Sequence, residues 1–196
     1  MYKTIDYYNK NAEKFIKDTL NLDVEELYKP FLKLIPSNST ILDAGAGSGR
    51  DTLYFMNKGF SVVSIDASES IVEHCTRITG KECLLMNFEQ MDFRECFEGI
   101  WACASLLHIQ RVSIDNVFFK LYQSLKPNGV LYASFKYGEK EELKNERYFN
   151  NYDEKTFAEL IGRHPYFKII TLYITEDVRP DKPGEKWLNV LVIRSS

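Results

Sequence analysis

From residue 40 onward the chain alternates two hydrophobic rhythms. Continuous apolar runs at Thr40–Ala44, 60–65, 82–86, 99–104 and 130–135 read as short strands covered on both faces. Between them, apolar residues recur at helical spacing. Residues 51–58 place Leu53 and Met56 on one face and stop at Gly59. Residues 68–79 place Ile71, Val72, Cys75 and Ile78 together, with Ser68 as cap and Gly80 as stop. Residues 113–125 turn Val117, Phe118 and Leu121 inward before a Lys126-Pro127-Asn128-Gly129 turn. A polar stretch, 136–151, reads as loop. A helix over 153–161 follows, with Phe157, Leu160 and Ile161 inward, and then strands at 167–174 and 188–193. The polar connection between those two strands, 175–186, has no helical pattern, so they are predicted to pair as an antiparallel hairpin. Strand–helix alternation of this kind predicts the α/β class, with a seven-stranded, mostly parallel sheet and helices on both faces.

Residues 1–36 read differently. Tyr8, Ala12 and Phe15, then Val24, Leu27, Tyr28, Phe31 and Leu32, recur at helical spacing with no strand between. They are predicted to lie over the sheet as a helical lid, with 40–196 as the ligand-binding sheet and 1–196 as one domain.

Composition narrows the choices. At 196 residues, with 44% apolar and 14% aromatic positions, the chain suits one globular domain and is too apolar to be disordered. Its apolar runs fall well short of the roughly 20 residues that span a bilayer, and the N-terminus lacks a signal-peptide core, so no membrane role is expected. A net charge of −3 gives no general attraction to phosphate backbones, and no nucleic-acid partner is expected. Cys75, Cys83, Cys96 and Cys103 show no metal-knuckle or redox-pair spacing and read as reduced thiols of a cytoplasmic protein. His74, His108 and His164 are scattered, so no metal site is expected.

The chemistry gathers at strand ends. The first strand runs into Asp43-Ala44-Gly45-Ala46-Gly47-Ser48-Gly49, whose glycines permit a tight turn and close approach of backbone to ligand. The helix that follows offers free N–H groups to an anion. Asp66 ends the second strand, where an acid can accept hydrogen bonds from ribose hydroxyls. A nicotinamide-dinucleotide site shares this much, but its G-x-G-x-x-G fingerprint needs glycine where this chain has Arg50.

The pattern Asp-x-Gly-x-Gly-x-Gly, the acid Asp66, Met86-Asn87-Phe88-Glu89, and Leu125-Lys126-Pro127-Asn128-Gly129 before the fifth strand together resemble the class I S-adenosylmethionine-dependent methyltransferases. The resemblance extends to small-molecule enzymes similar to the tellurite-resistance methyltransferases. It implies a Rossmann-like sheet and S-adenosylmethionine as cofactor. By that resemblance Asp43, Gly45, Ala46 and Gly47 hold the methionine part, with Arg50 and Tyr8 reaching its carboxylate. Asp66 holds the ribose, and Ala67, Asn87 and Phe88 surround the adenine, Asn87 through its carbonyl oxygen. Ala104 and Ser105 line the sulfonium side.

For the reaction itself the candidate base is His108, just after the fourth strand, whose ordinary pKa near 6.5 suits the task. The competing reading makes it a hydrogen-bonded cap of the next helix. Trp101 reads as core, and a catalytic role for Cys103 is not favoured. Arg147 and Phe149, between the fifth strand and the next helix, are candidates to contact the acceptor. The expected activity is methyl transfer to a small molecule by a monomer or homodimer. The alternatives are a non-catalytic binder of S-adenosylmethionine or S-adenosylhomocysteine, and an NAD-dependent oxidoreductase.

Overall fold

A computed structural model describes residues 2–195. Two helices come first, α1 (Tyr2–Thr19) and α2 (Glu25–Leu32). The alternating region then runs β1 (Thr40–Ala44), α3 (Arg50–Asn57), β2 (Ser61–Asp66), α4 (Glu69–Thr79), β3 (Cys83–Leu85), β4 (Phe97–Ala102), α5 (Arg111–Ser124) and β5 (Leu125–Lys136). A hairpin of β6 (Glu141–Lys144) and β7 (Arg147–Asn150) precedes α6 (Glu154–Gly162), β8 (Phe167–Glu176) and β9 (Lys186–Arg194). Seven of these strands form one sheet in the order β3-β2-β1-β4-β5-β9-β8, parallel through β5 and antiparallel at β9 and β8. This is the expected Rossmann-like α/β sheet with its antiparallel C-terminal hairpin.

Side chains alternate across the sheet, as extended backbone requires. Leu42, Ile100 and Leu131 pack to one side, against Ile114, Phe118 and Leu121 of α5 and Phe157 and Leu160 of α6. Ile41, Trp101 and Tyr132 pack to the other, against Phe55 of α3 and Tyr28 and Phe31 of α2. Because both faces are covered, the central strands read as unbroken apolar runs. Ser68 caps α4 as predicted, its Oγ accepting from the Ile71 N–H.

Two expectations need correction. The stretch 136–151 is not plain loop. It holds the β6–β7 hairpin, in which Lys144 pairs with Arg147 across the two-residue turn Asn145-Glu146. Both turn residues have left-handed backbone, at φ 50° and 63°. That is the geometry whose twist matches a hairpin, and Asn-Gly is its usual sequence signal. Here Glu146 stands where glycine would have announced it. The Lys126–Gly129 turn also does not stand between α5 and the sheet. It is a bulge inside β5, where Leu125 pairs with Phe97 and Val130 with Gly99, and Asn128 takes φ 63°.

Candidate functional site

Strand order reverses between β1 and β4, and ligands of open α/β sheets bind beyond the carboxyl ends of strands at such a point. A cavity of about 520 Å³ lies there, a size suited to a small ligand. The glycine turn after β1 forms one wall. Gly45, at φ 88°, could carry no side chain, because a Cβ would come 2.4 Å from that of Ser105. Ser105 is fixed in turn by donating its hydroxyl to the Ala44 carbonyl at 2.6 Å. Gly47, at φ 55°, lies under the ring of Phe15 from α1 and donates its N–H to Asp66 Oδ2 at 3.1 Å. Asp66 Oδ1 accepts from the Ser68 N–H. A carboxylate has about four acceptor positions, so these bonds orient Asp66 and leave it room for a ligand. Burial raises its pKa, while the N–H groups of Ser68, Gly47 and Ala67 oppose the rise.

Ala46, Ala67, Phe88, Ala104 and Ser105 line the cavity. Ala104 does so with φ 51°, a strained conformation for a residue with a side chain, held where its N–H donates to Ser134 Oγ. Four other assignments change. Asp43 is 1% exposed and does not line the cavity; it accepts from Thr52 Oγ1 at 2.6 Å beneath the turn. Burial, with Asp51 nearby, holds its carboxyl well above the usual range. Asn87 lines the cavity, but its carbonyl oxygen already accepts from Glu89 and Gln90 N–H groups as the cap of a short 3-10 turn. Its amide N–H groups therefore remain for a ligand.

Arg50 lines the cavity with two of its nitrogens donating to Asp51, at 2.6 and 3.0 Å. Burial works against ionising Asp51, but Arg50 overrides it and holds the carboxyl below the usual range. Tyr28 from α2 and Trp101 from β4 donate to the same carboxylate, at 2.5 and 2.8 Å. This buttress was not foreseen. No spacing rule links residues 28, 51 and 101. Trp101 is core, as expected, and Cys103 reaches the cavity wall with its thiol pushed up to about 12 by burial and by Asp51.

Tyr8 is the fourth change. Its hydroxyl meets His108 Nε2 at 2.9 Å, a partner that the sequence did not suggest. His108 Nδ1 lies 2.7 Å from the Tyr148 carbonyl, an acceptor, so Nδ1 carries the proton and Nε2 accepts from Tyr8. Burial, then the charges of Arg147 and Lys136, push the His108 pKa down to about 3. The imidazole is therefore neutral at pH 7, and its ordinary pKa does not apply. Nor does it cap the next helix, since the N-cap of α5 is Gln110. Phe149 lies beside His108, tilted by 60° with centroids 5.2 Å apart, and the Arg147 guanidinium lies 5.2 Å from the Phe149 ring. Tyr8, His108, Arg147 and Phe149 line the same cavity as the glycine turn. Lys136 and Trp187, not anticipated, join them from β5 and β9.

Residues 41–129 match the family model described as a methyltransferase domain. The ubiquinone biosynthesis O-methyltransferase of Rickettsia prowazekii is 28% identical over 65% of this chain and 53% of its own length. The phosphoethanolamine N-methyltransferase of Plasmodium falciparum is 26% identical over 80% of this chain and 60% of its own. Over residues 41–129 the chain is similar to S-adenosylmethionine-dependent methyltransferases. The chain's matches span roughly half the length of the first curated relatives. Among solved structures, the Burkholderia thailandensis 1,6-didemethyltoxoflavin-N1-methyltransferase with bound S-adenosylhomocysteine shares the fold. Its TM-score is 0.81 at 19% identity, covering 100% of this chain and 88% of that one. The finer likeness to tellurite-resistance enzymes finds no support in these matches.

S-adenosylmethionine, the cofactor of the methyltransferases this chain resembles, fits the residues present. The turn is closed to any Cβ at Gly45, Asp66 retains acceptor capacity, and Asn87 retains donors. Arg50, paired with Asp51, faces the same cavity. Among the described residues no cluster of metal-ligating side chains occurs, and no helix is long and apolar enough to cross a membrane.

Proposed function

We propose that this protein methylates a small molecule bound against Tyr8, His108 and Phe149. The observation that carries the reading is the single cavity lined both by the glycine turn with Asp66 and by this aromatic group. The names of two relatives, acting in ubiquinone biosynthesis and on phosphoethanolamine, support a small acceptor. So does the enclosure of the site by α1 and the β6–β7 hairpin: Tyr148 N–H donates to Thr4 Oγ1, and Asn9 Oδ1 accepts from Ser68 Oγ at 2.6 Å. In this reading α1 is the lid expected from the sequence.

Bound S-adenosylmethionine supplies a sulfonium methyl whose leaving group departs neutral. The chain's own part is then mainly alignment, which can supply much of the rate. The turn and Asp66 hold the cofactor. Phe149 and Tyr8 position the acceptor. His108, neutral and anchored on the Tyr148 carbonyl, accepts from the Tyr8 hydroxyl, so the Tyr8 oxygen, which Arg147 also faces, keeps a lone pair to accept from the acceptor O–H or N–H. A proton passed to Tyr8 has His108 Nε2 as its next station, and His108 becomes more basic once a ligand offsets the charge of Arg147.

The test is acceptor-dependent formation of S-adenosylhomocysteine across a panel of phenols, catechols and amines. Wild-type protein is expected to turn over at least one class. Tyr8→Phe should lower kcat by on the order of a hundredfold with cofactor affinity unchanged. No acceptor-dependent product would overturn the catalytic reading, and full activity of Tyr8→Phe would remove the hydroxyl from the mechanism.

A further inference from the structure

Among the described residues, four cations of the cavity wall sit in ion pairs, while the exposed Lys144 and the half-buried Arg147 do not. Lys136 meets Glu185 at 2.5 Å, Arg179 meets Asp177 at 2.6 Å, Arg50 meets Asp51 at 2.6 Å, and Lys182 lies 3.7 Å from Asp181. Arg147 has no ion-pair partner among the described residues, and its buried Nε has no hydrogen-bond partner. Its guanidinium sits beside the Tyr8 hydroxyl and among three aromatic rings, 4.5 Å from the centroid of Tyr7, 5.2 Å from Phe149 and 6.0 Å from Tyr8. Rings satisfy the flat faces of a guanidinium and do not accept at its N–H edge. The remaining acids of the cavity wall do not answer it. Asp66 is engaged by backbone N–H groups, and Glu176, Asp23, Glu25 and Glu26 are exposed.

We propose that the methyl acceptor carries a compact oxyanion, a carboxylate or a phosphate, that pairs with Arg147 beside Tyr8 and His108. A planar fork of donors is suited to two oxygens of one anion, which a lysine at this place would not match. The anchor stands on β7, next in sequence to the Tyr148 carbonyl that fixes His108, so one short strand sets both the acceptor's position and the orientation of the imidazole. Pairing Arg147 also removes a charge that opposes protonation of His108. Acceptor binding would thereby help to ready the Tyr8–His108 pair. The proposal rests on the methyltransferase reading and adds the chemical class of its substrate.

The test is titration calorimetry on protein saturated with S-adenosylhomocysteine, using phenyl phosphate, benzoate and the neutral benzamide as probes. At least one oxyanion should bind roughly tenfold or more tightly than benzamide, and Arg147→Gln should erase that preference without changing S-adenosylhomocysteine affinity. Arg147→Lys, which keeps the charge without the fork, should fall between. The relative affinity of the two oxyanions tells carboxylate from phosphate. Equal binding of charged and neutral probes, absence of oxyanion binding into the millimolar range, or a preference that survives Arg147→Gln would each overturn the proposal alone. Failure to bind S-adenosylhomocysteine would instead overturn the methyltransferase reading, and this proposal with it.

Discussion

At the scale of single residues the site is built from positions that tolerate no ordinary substitute. Gly45 combines a left-handed backbone at φ 88° with a neighbour 2.4 Å from where its Cβ would stand. Gly45→Ala is therefore expected to cost about 2–4 kcal/mol and to weaken S-adenosylhomocysteine binding, measured by denaturant unfolding and titration. Full stability and affinity would show that the turn can relax. His108 gives a pH signature. Its folded pKa of about 3 lies below the ordinary 6.5, so the unfolded chain binds a proton that the folded chain refuses. The folded state should lose up to about 1.4 kcal/mol per pH unit from this group as pH falls from 6.5 toward 3. His74 and His164 are lowered as well, so the His108 share is isolated by difference. His108→Gln should flatten the wild-type decline between pH 6.5 and 4.5, and parallel stability curves would contradict the buried, neutral assignment.

At the scale of elements, α1 is fastened at both ends of the cavity. Asn9 accepts from Ser68 Oγ, and Ser68 caps α4 by accepting from Ile71 N–H, so one hydroxyl joins α1, α4 and the loop after β2. Ser68→Ala removes both bonds and should cost about 1–2 kcal/mol of stability. Asn9→Ala removes only the lid contact. It should leave the α4 cap intact while speeding hydrogen exchange in the α1 amides, and unchanged exchange would mean the lid is held elsewhere. The helix spacing that revealed α1 came from apolar positions such as Ala12 and Phe15. The fastening is made by polar side chains distant in sequence, which periodicity does not report. The β6–β7 hairpin escaped notice for a related reason: its strands are short and exposed at Glu141–Lys144, and its turn uses Glu146 in place of glycine.

At the scale of the whole molecule, the sheet, its two covering layers and the cavity form a binding device whose stability should respond to its ligand. At one hundred times its dissociation constant, S-adenosylhomocysteine should add about 2.7 kcal/mol. That is about 5–10 °C in Tm for a chain of this size, followed by scanning calorimetry. NAD at matched concentration should add nothing. The reverse pattern would overturn the cofactor assignment.

The strands, most helices, the glycine turn and Asp66 were legible in the sequence because each is announced locally, by hydrophobic period, by glycine, or by an acid at a strand end. The antiparallel pairing of the C-terminal hairpin followed from the missing helical pattern in 175–186. What the tertiary structure decided lies between segments remote in sequence. It set Tyr8 against His108, a partner 100 positions away, and committed the Asn87 oxygen to a cap. It buried Asp43 beneath the turn and tied Arg50 to Tyr28 and Trp101 through Asp51. It also lowered the basicity of His108 and left Arg147 unpaired among aromatic rings. Hydrophobic period fixes which face of an element is buried. Which polar groups then meet, and what protonation they adopt there, depends on packing across the sheet and on the solvent that packing removes.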